Sequence, residues 1–162
     1  MNIIEFDRKS DIQRQGLFKL FKAYCDDIYS DEPENKMSDY SIMQFFEWIL
    51  NDCNYEDGWI FLAVDARGQF VGFIFAHIDR PEKGWCAKEG WGCIREIYVT
   101  PKFRQKGTGE SLIKHSESAM AAFNPKGHYL TSDNNDLFWN KAGYFFDGEI
   151  EKLNNSRVFA KR

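Results

Sequence analysis

Apolar side chains recur along this chain at two spacings, and each spacing predicts a different kind of element. Three stretches place them every three or four positions, which is typical of a helix with one buried face. These faces carry Leu17, Leu20, Phe21, Tyr24 and Ile28; Ile42, Phe45, Phe46, Ile49 and Leu50; and Leu112, Ile113, Ser116, Met120 and Phe123. The first helix is expected to end at Asp31-Glu32-Pro33. A short fourth helix is predicted over residues 136–142, with Gly143 ending it.

Seven other stretches are apolar or alternating, are bounded by turn residues, and are predicted to be strands. They are residues 1–6, 59–64, 69–78, 93–99, 128–131, 145–153 and 157–161. Asp65-Ala66-Arg67-Gly68 and Asn154-Asn155 are expected to be hairpin turns. The element order is then β-α-α-β-β-β-α-β-α-β-β. This order predicts one α/β (α+β) domain over residues 1–162, with a mixed central sheet of about seven strands and about four helices.

Composition narrows the classes of protein to which the chain can belong. Its 162 residues include 15 Phe, 7 Tyr and 5 Trp, which is too much aromatic surface for a disordered chain. The net charge of -4 provides no basic field for a nucleic-acid backbone. No apolar run reaches the roughly 18 residues of a membrane span, and residues 1–8 lack a signal peptide's pattern. We therefore expect a cytoplasmic protein with neither a nucleic-acid nor a membrane partner.

The cysteines and histidines give no sign of a metal centre. Cys25, Cys53, Cys86 and Cys93 form no CxxC pair, and His77, His115 and His128 show no ligand spacing with them. A chain of this size does not need disulfides to fold. We expect four reduced thiols and no metal.

A short basic loop follows the fourth predicted strand and opens the third long helix. It contains Arg104, Lys106, Gly107 and Gly109. The first amides of a helix have no intrahelical acceptor, and with the helix dipole they form an anion site that glycines let a phosphate approach. A G-x-G pair by itself more often just begins a helix tightly. The G-x-x-x-x-G-K-[ST] loop is absent, and Leu112 replaces the third glycine of a dinucleotide loop.

Two motifs in order make the chain resemble the GNAT superfamily of acyl-CoA N-acyltransferases. The first, [RQ]-x-x-G-x-[GA] after a V-x-P strand end, is present as Arg104-Gln105-Lys106-Gly107-Thr108-Gly109 after Val99-Thr100-Pro101. The second, F-Y-x-K-x-G-F, is present as Phe138-Trp139-Asn140-Lys141-Ala142-Gly143-Tyr144. The predicted element order matches the family over nearly the whole chain. The resemblance implies the GNAT fold and an acetyltransferase.

The resemblance also implies how acetyl-CoA (coenzyme A) would bind. Its pyrophosphate would lie on the loop amides, and its pantetheine would run along the fourth strand like an added strand. The thioester would reach a cleft where that strand separates from strand 128–131. The cofactor-binding residues expected from this are Ile97, Tyr98, Val99, Arg104, Gln105, Lys106, Gly107, Thr108, Gly109, Asn134, Asn135 and Trp139.

Acetyl transfer to an amine requires a proton acceptor, because a primary amine has a pKa near 10.4 and arrives protonated. Glu96 is the leading candidate for this base, since it lies in the central strand and is expected to share a face with Ile94 and Tyr98. A structural glutamate paired with Arg95 or another neighbour is an equally good interpretation. His77 is a weaker alternative base. The backbone amide of Val99 is the candidate donor to the oxyanion.

The family's general acid is a tyrosine, and this chain has Trp139 in its place. An indole N–H donates a hydrogen bond but is no usable acid. Three explanations remain open: a thiol with a pKa near 8.5 leaves largely unaided, another hydroxyl such as Tyr129 or Ser132 substitutes, or the protein binds acyl-CoA and barely turns over. We favour the first two jointly. Tyr144 is expected to be a core residue.

The acceptor is the least determined part of the prediction. Carboxylates and an aromatic ring at Asp26, Asp27 and Tyr29 suit a cationic amine, and His77 is a further candidate contact. Asp31, Glu32, Tyr24 and Tyr40 lie near them in the sequence. A solvated acidic loop is at least as good an interpretation. Trp85 and Trp91 are expected either to border the cleft or a dimer contact, or to be ordinary packing residues.

The leading hypothesis is an N-acetyltransferase that acetylates a primary amine of a small cationic molecule or peptide by direct attack in a ternary complex. The alternative is a regulatory module that binds CoA or acyl-CoA with little or no turnover. A plain α/β domain without CoA is a third reading. A homodimer is expected only by analogy with the family.

Overall fold

A computed structural model describes residues 1–30, 33–83 and 85–162, and its strands form one seven-stranded sheet. The strands are β1 (Asn2–Glu5), β2 (Gly58–Val64), β3 (Phe70–Ile78), β4 (Gly92–Val99), β5 (His128–Thr131), β6 (Phe145–Ile150) and β7 (Arg157–Lys161). The α-helices are α1 (Asp11–Ile28), α2 (Asp39–Asp52), α3 (Thr108–Met120) and α4 (Asp136–Lys141). This confirms the predicted element order and fold class.

The strand order in the sheet is β1-β2-β3-β4-β5-β7-β6. Every pair is antiparallel except β4 and β5, which run parallel because α3 carries the chain over the sheet between them. A parallel pair near the centre of the sheet places the ends of β4 and β5 side by side. That end of the sheet is where the candidate site lies.

Helices cover both faces of the sheet, so the central strand β3 is buried along nearly its whole length. Phe73 and Phe75 face the α1 and α2 side, where they join the core around Phe21. Ile74 and Ala76 face α3, which packs with Leu112 and Met120. A strand buried on both faces has a continuous apolar sequence, as residues 70–76 do.

Helix ends follow capping more closely than the apolar pattern. Ser10 and Ser38 cap α1 and α2 by accepting from the amides of Gln13 and Ser41. α1 ends at Ile28, before the predicted stop, of which Asp31 and Glu32 lie outside the described residues. The predicted third helical face is wrong at its last member, because α3 ends at Met120 and Phe123 lies, 39 % exposed, in a following 3-10 turn.

Three smaller predictions can also be compared with the structure. All four cysteines are unpaired, as expected. Tyr144 is a core residue, and its hydroxyl donates to Glu117 at 2.8 Å. Among the residues that the structure describes, no helix is both long enough and apolar enough to cross a membrane.

Candidate active site

The two central parallel strands separate soon after they pair, and a cleft opens between them. β4 and β5 are in register only at Gly92 with His128 and at Cys93 with Tyr129. Beyond that point a cavity of about 990 Å³ extends from the end of α1 to the starts of α3 and α4. The predicted site residues that line it are Asp27, Glu96, Ile97, Tyr98, Val99, Arg104, Gln105, Gly107, Thr108, Gly109, Asn134, Asn135 and Trp139.

A β-bulge in β4 determines which side chains face the catalytic side of the cleft. Phe75 pairs with Glu96 and Ala76 with Ile94, so Arg95 is an extra residue on β4. The expectation that Glu96 shares a face with Ile94 and Tyr98 is therefore half wrong. Ile94 packs on the α3 side, whereas Glu96 and Tyr98 face α1. Alternation by two fails here because the bulge inserts one residue.

The backbone of β4 offers hydrogen-bonding groups to the cleft at alternate residues. The amide of Thr100 bonds to Val71 on β3, so the Tyr98 backbone also faces β3 and the backbones of Ile97 and Val99 face the gap. The Val99 carbonyl accepts from the Arg104 guanidinium at 2.8 Å. An added strand would therefore pair with Ile97 and Val99, and Tyr98 contributes its side chain to the cleft wall instead.

Glu96 is held in the cleft by a partner from the first helix. The hydroxyl of Tyr24 donates a hydrogen bond to Glu96 Oε2. Burial raises the pKa of Glu96 to about 7, although the Tyr24 hydrogen bond and the charge of Arg95 oppose the rise. Burial, together with the negative charge of Glu96, raises the pKa of Tyr24 well above its usual range. The pair thus has a carboxyl that titrates near neutral pH and a hydroxyl that stays protonated.

The loop before α3 has the backbone shape of an anion site. Gln105 and Gly107 both have left-handed backbone, with φ of 59° and 78°. Gly107 is the N-cap of α3 and has no side chain to cap the helix, so the first amides of the helix remain open. A Cβ on Gly107 would meet nothing within 4 Å, whereas one on Gly109 would lie 3.0 Å from the Phe138 ring. Gly109 is therefore small because α4 packs against it.

The two cations of the loop are placed differently. Arg104 lines the cleft, and its guanidinium donates to Asp27 Oδ2 at 2.7 Å, which ties the loop to the end of α1. Lys106 is exposed, with its ammonium 5.5 Å from the centroid of the Phe103 ring, and it does not line the cleft. Only Arg104 is brought to the cavity.

The far wall of the cleft comes from α4 and the residues before it. Trp139 is buried, and its Nε1 has no hydrogen-bond partner among the described residues. Ser132 lines the cleft and donates to the carbonyl of Asn134 at 2.7 Å. Tyr129 points away from the cleft, since its buried hydroxyl donates to Asp79 Oδ2 at 2.6 Å. Burial raises the pKa of that hydroxyl well above its usual range. Of the two substitute acids, only Ser132 reaches the cavity.

The predicted acceptor residues are only partly brought together. Asp27 lines the cleft but is paired with Arg104, and Asp26 pairs with Lys36 at 3.0 Å on the outside. Tyr29 ends α1 and does not line the cleft. The charges of Asp26 and Asp27 are therefore balanced by cations of the chain itself, whereas Asp31 and Glu32 lie outside the described residues.

His77 lies away from the cleft, fully buried in β3. Its Nδ1 is 3.0 Å from Asp52 Oδ2, and its Nε2 is 3.9 Å from Asp79 Oδ1. Burial lowers the pKa of His77, but Asp52 and Cys93 outweigh that effect and raise it to about 9. The structure gives His77 a structural ion pair and does not bring it to the acceptor.

The sequence names Arg95 as one possible partner of Glu96 and Tyr24 as an aromatic residue near the acceptor, but it predicts neither of the contacts that these side chains make. Tyr24 belongs to an apolar helical face, and no spacing connects it with a strand residue 72 positions later. Arg95 lies between the rings of Trp48 and Trp85, an arrangement that depends on the bulge. The sequence hints at the Tyr24 contact only indirectly, because Tyr24 is the one residue with a polar group on an otherwise apolar helical face.

Comparison with known proteins places this geometry in a family. The model of the Acetyltransferase (GNAT) family matches residues 15–144. No protein of curated function matches the chain. Among the residues that the structure describes, no group of three or more His, Cys, Asp or Glu side chains could hold a metal ion.

Solved structures share the fold at low identity. An aminoglycoside 6'-acetyltransferase type Ii is 24% identical, with 99% of this chain and 96% of that chain covered and a TM-score of 0.72. The PaiA N-acetyltransferase from Thermoplasma acidophilum, in complex with coenzyme A, is 18% identical, with 100% of this chain and 99% of that chain covered and a TM-score of 0.69. The NatC complex bound to Gag peptide and CoA is 19% identical, with 99% of this chain and 96% of that chain covered and a TM-score of 0.66. At these identities the likeness is one of fold.

Proposed function

Because the chain belongs to the GNAT acetyltransferase family, it is an acyltransferase, and we propose that it moves an acetyl group from acetyl-CoA to a primary amine. The transfer would be direct, with both substrates bound together. The observation that carries this is the Tyr24–Glu96 pair in the cleft between β4 and β5. It provides a proton acceptor at the place where an added strand along β4 would end.

The residues present fit acetyl-CoA at three places. The left-handed loop and open amides at the start of α3 suit a phosphate, and Gly107 leaves space for it. The Ile97 and Val99 backbones face the gap, which suits an amide-bearing chain. The unpartnered Nε1 of Trp139 is a buried donor that a ligand would satisfy.

When bound, acetyl-CoA would supply the activated acyl group, and the chain would supply proton transfer and positioning. Glu96, with a pKa of about 7, takes the proton from the incoming ammonium. Tyr24 keeps the carboxylate oriented and favours its ionised form. The Val99 amide donates to the carbonyl oxygen as it gains charge. The leaving thiol needs little help because its pKa is low, and Ser132 could protonate it only by giving up its hydrogen bond to the Asn134 carbonyl.

The acceptor is proposed as a small molecule or a peptide. A strongly cationic acceptor has less support than the sequence suggested, because Asp26 and Asp27 are already paired with Lys36 and Arg104. A cytoplasmic location and a homodimer remain predictions. Light scattering on the purified protein would test the homodimer.

A panel of amines with acetyl-CoA, followed by mass spectrometry of the acceptors, tests the proposal. Acetylation that Glu96→Gln abolishes would support it. A melting shift separates binding from turnover: at one hundred times its dissociation constant, acetyl-CoA should add about 2.7 kcal/mol. That corresponds to roughly 5 to 10 °C for a chain of this size. Such a rise in melting temperature with no product from any acceptor would favour the regulatory module. The absence of the family's tyrosine, which Trp139 replaces, is the feature that supports that alternative.

A further inference from the structure

Arg95 lies beside Glu96 in the cleft, and two tryptophans hold its side chain. Its guanidinium carbon is 4.7 Å from the ring centroid of Trp48 on α2. It is 4.0 Å from the ring centroid of Trp85, which lies between β3 and β4. Both distances are within the roughly 6 Å of a cation–π contact. The indoles therefore fix the guanidinium in one place.

This guanidinium has no hydrogen-bond or ion-pair partner in the part of the chain that the structure describes, although its charge acts on the neighbouring Glu96. It forms no ion pair there, and its buried Nε has no hydrogen-bond partner. The other arginine that lines the cleft, Arg104, differs because it donates to Asp27 and to the Val99 carbonyl. Arginine stays charged in proteins and presents five donors in a planar fork. Arg95 thus offers a fixed, unpaired positive fork to whatever enters the cleft.

The position of Arg95 separates it from the phosphate loop. Val99, where the loop begins, is four steps further along the extended strand, which is roughly 13 Å at 3.3 Å per residue. The pyrophosphate of CoA on that loop is therefore not its partner. Because of the bulge, Arg95 and Glu96 follow each other yet both face the helices α1 and α2. The anion that Arg95 binds would lie next to the group that Glu96 deprotonates.

We infer that Arg95 binds a carboxylate of the acceptor, so that the acceptor is an amino acid or short peptide whose carboxylate lies close to its reactive amine. The inference rests on the proposed transfer at Glu96. A planar carboxylate matches the guanidinium fork, which the two tryptophans hold in place. A polyamine has the amine but nothing to place on Arg95.

Matched acceptors test this without any mutation. Amino acids and their carboxamides differ in the carboxylate and, through it, in the pKa of the amine, so kcat/KM is referred to the concentration of neutral amine. The wild type should acetylate the carboxylate member with a kcat/KM on the order of ten to a hundredfold higher, the value of a hydrogen-bonded charge. Arg95→Gln should remove that preference by slowing the carboxylate member alone, and Arg95→Lys should restore part of it. Arg67→Gln, on an exposed turn, is the control. Equal loss for both members would overturn the inference and make Arg95 a structural brace.

A binding measurement keeps this inference separate from the proposed transfer. CoA itself carries no acyl group, so calorimetry of each acceptor with CoA-loaded protein reads recognition alone. Tighter binding of the amino acid than of its carboxamide, lost in Arg95→Gln, supports the carboxylate site even if no acceptor is ever acetylated; in that case the transfer is what fails. Equal binding of the two ligands to the wild type overturns the site.

Discussion

Replacing Tyr24 with phenylalanine removes the hydroxyl that donates to Glu96 and keeps the ring. The ring packs between Phe21, Phe73 and Tyr98 at centroid distances of 5.7 to 5.9 Å, and those contacts survive the change. The hydrogen bond opposes the effect of burial on Glu96, so its loss should raise the pKa of Glu96 further above about 7. A hydrogen bond to a charged group contributes roughly 1.5 to 3 kcal/mol. At 1.36 kcal/mol for each pKa unit, that is an upward shift of about one to two units.

The assay is the pH profile of kcat/KM for acetyl transfer. In the wild type the rate should rise with pH and level off above about 7, because only ionised Glu96 accepts a proton. In Tyr24→Phe the same rise should occur one to two units higher, with the plateau largely retained. Tyr40→Phe, which removes an exposed hydroxyl bonded to Gln44, is the control. An unmoved midpoint, or a lowered plateau with no shift, would refute the role given to Tyr24.

Three further predictions address separate parts of the account. Gly107→Ala should cost about 1 kcal/mol of stability through its φ of 78° and weaken CoA binding roughly tenfold, measured by calorimetry; unchanged affinity would remove the loop from the phosphate site. Trp139→Phe should raise the KM for acetyl-CoA about tenfold without moving the pH profile, since it removes the unpartnered indole donor; an unchanged KM would contradict this. Because the pKa of His77 is raised to about 9, its stabilisation is complete below pH 6.5 and is lost as the pH rises through 9. Denaturant titrations should show that decline, on the order of 3 kcal/mol, and a decline of the same size in His77→Gln would contradict the assignment.

The fold could be predicted from the sequence because each element has a strong local pattern. The apolar face of α1 and the continuous apolar run of β3 both determine burial, and the turn at Asp65–Gly68 separates β2 from β3 by local chemistry. Helix ends were harder to predict, because apolar spacing does not show where a cap such as Ser10 begins a helix or where α3 tightens into the 3-10 turn that holds Phe123. Phe123 was misplaced for that reason.

The site could be predicted only where a motif names consecutive residues. Gly107 and its neighbours form the loop, and Val99 faces the gap, because a short motif fixes a local backbone. The roles of Tyr24 and Arg95 could not be predicted, since they depend on a bulge and on contacts between distant elements. His77 was overrated because sequence alone does not show that Asp52 is beside it.

The measurement that most directly tests the central claim is acetyl transfer by Glu96→Gln. A general base contributes on the order of 10²- to 10⁴-fold, so the variant should lose that much kcat while acetyl-CoA still raises its melting temperature. Glu5→Gln, at an exposed position of β1, should behave like the wild type. Wild-type turnover by Glu96→Gln would contradict the account.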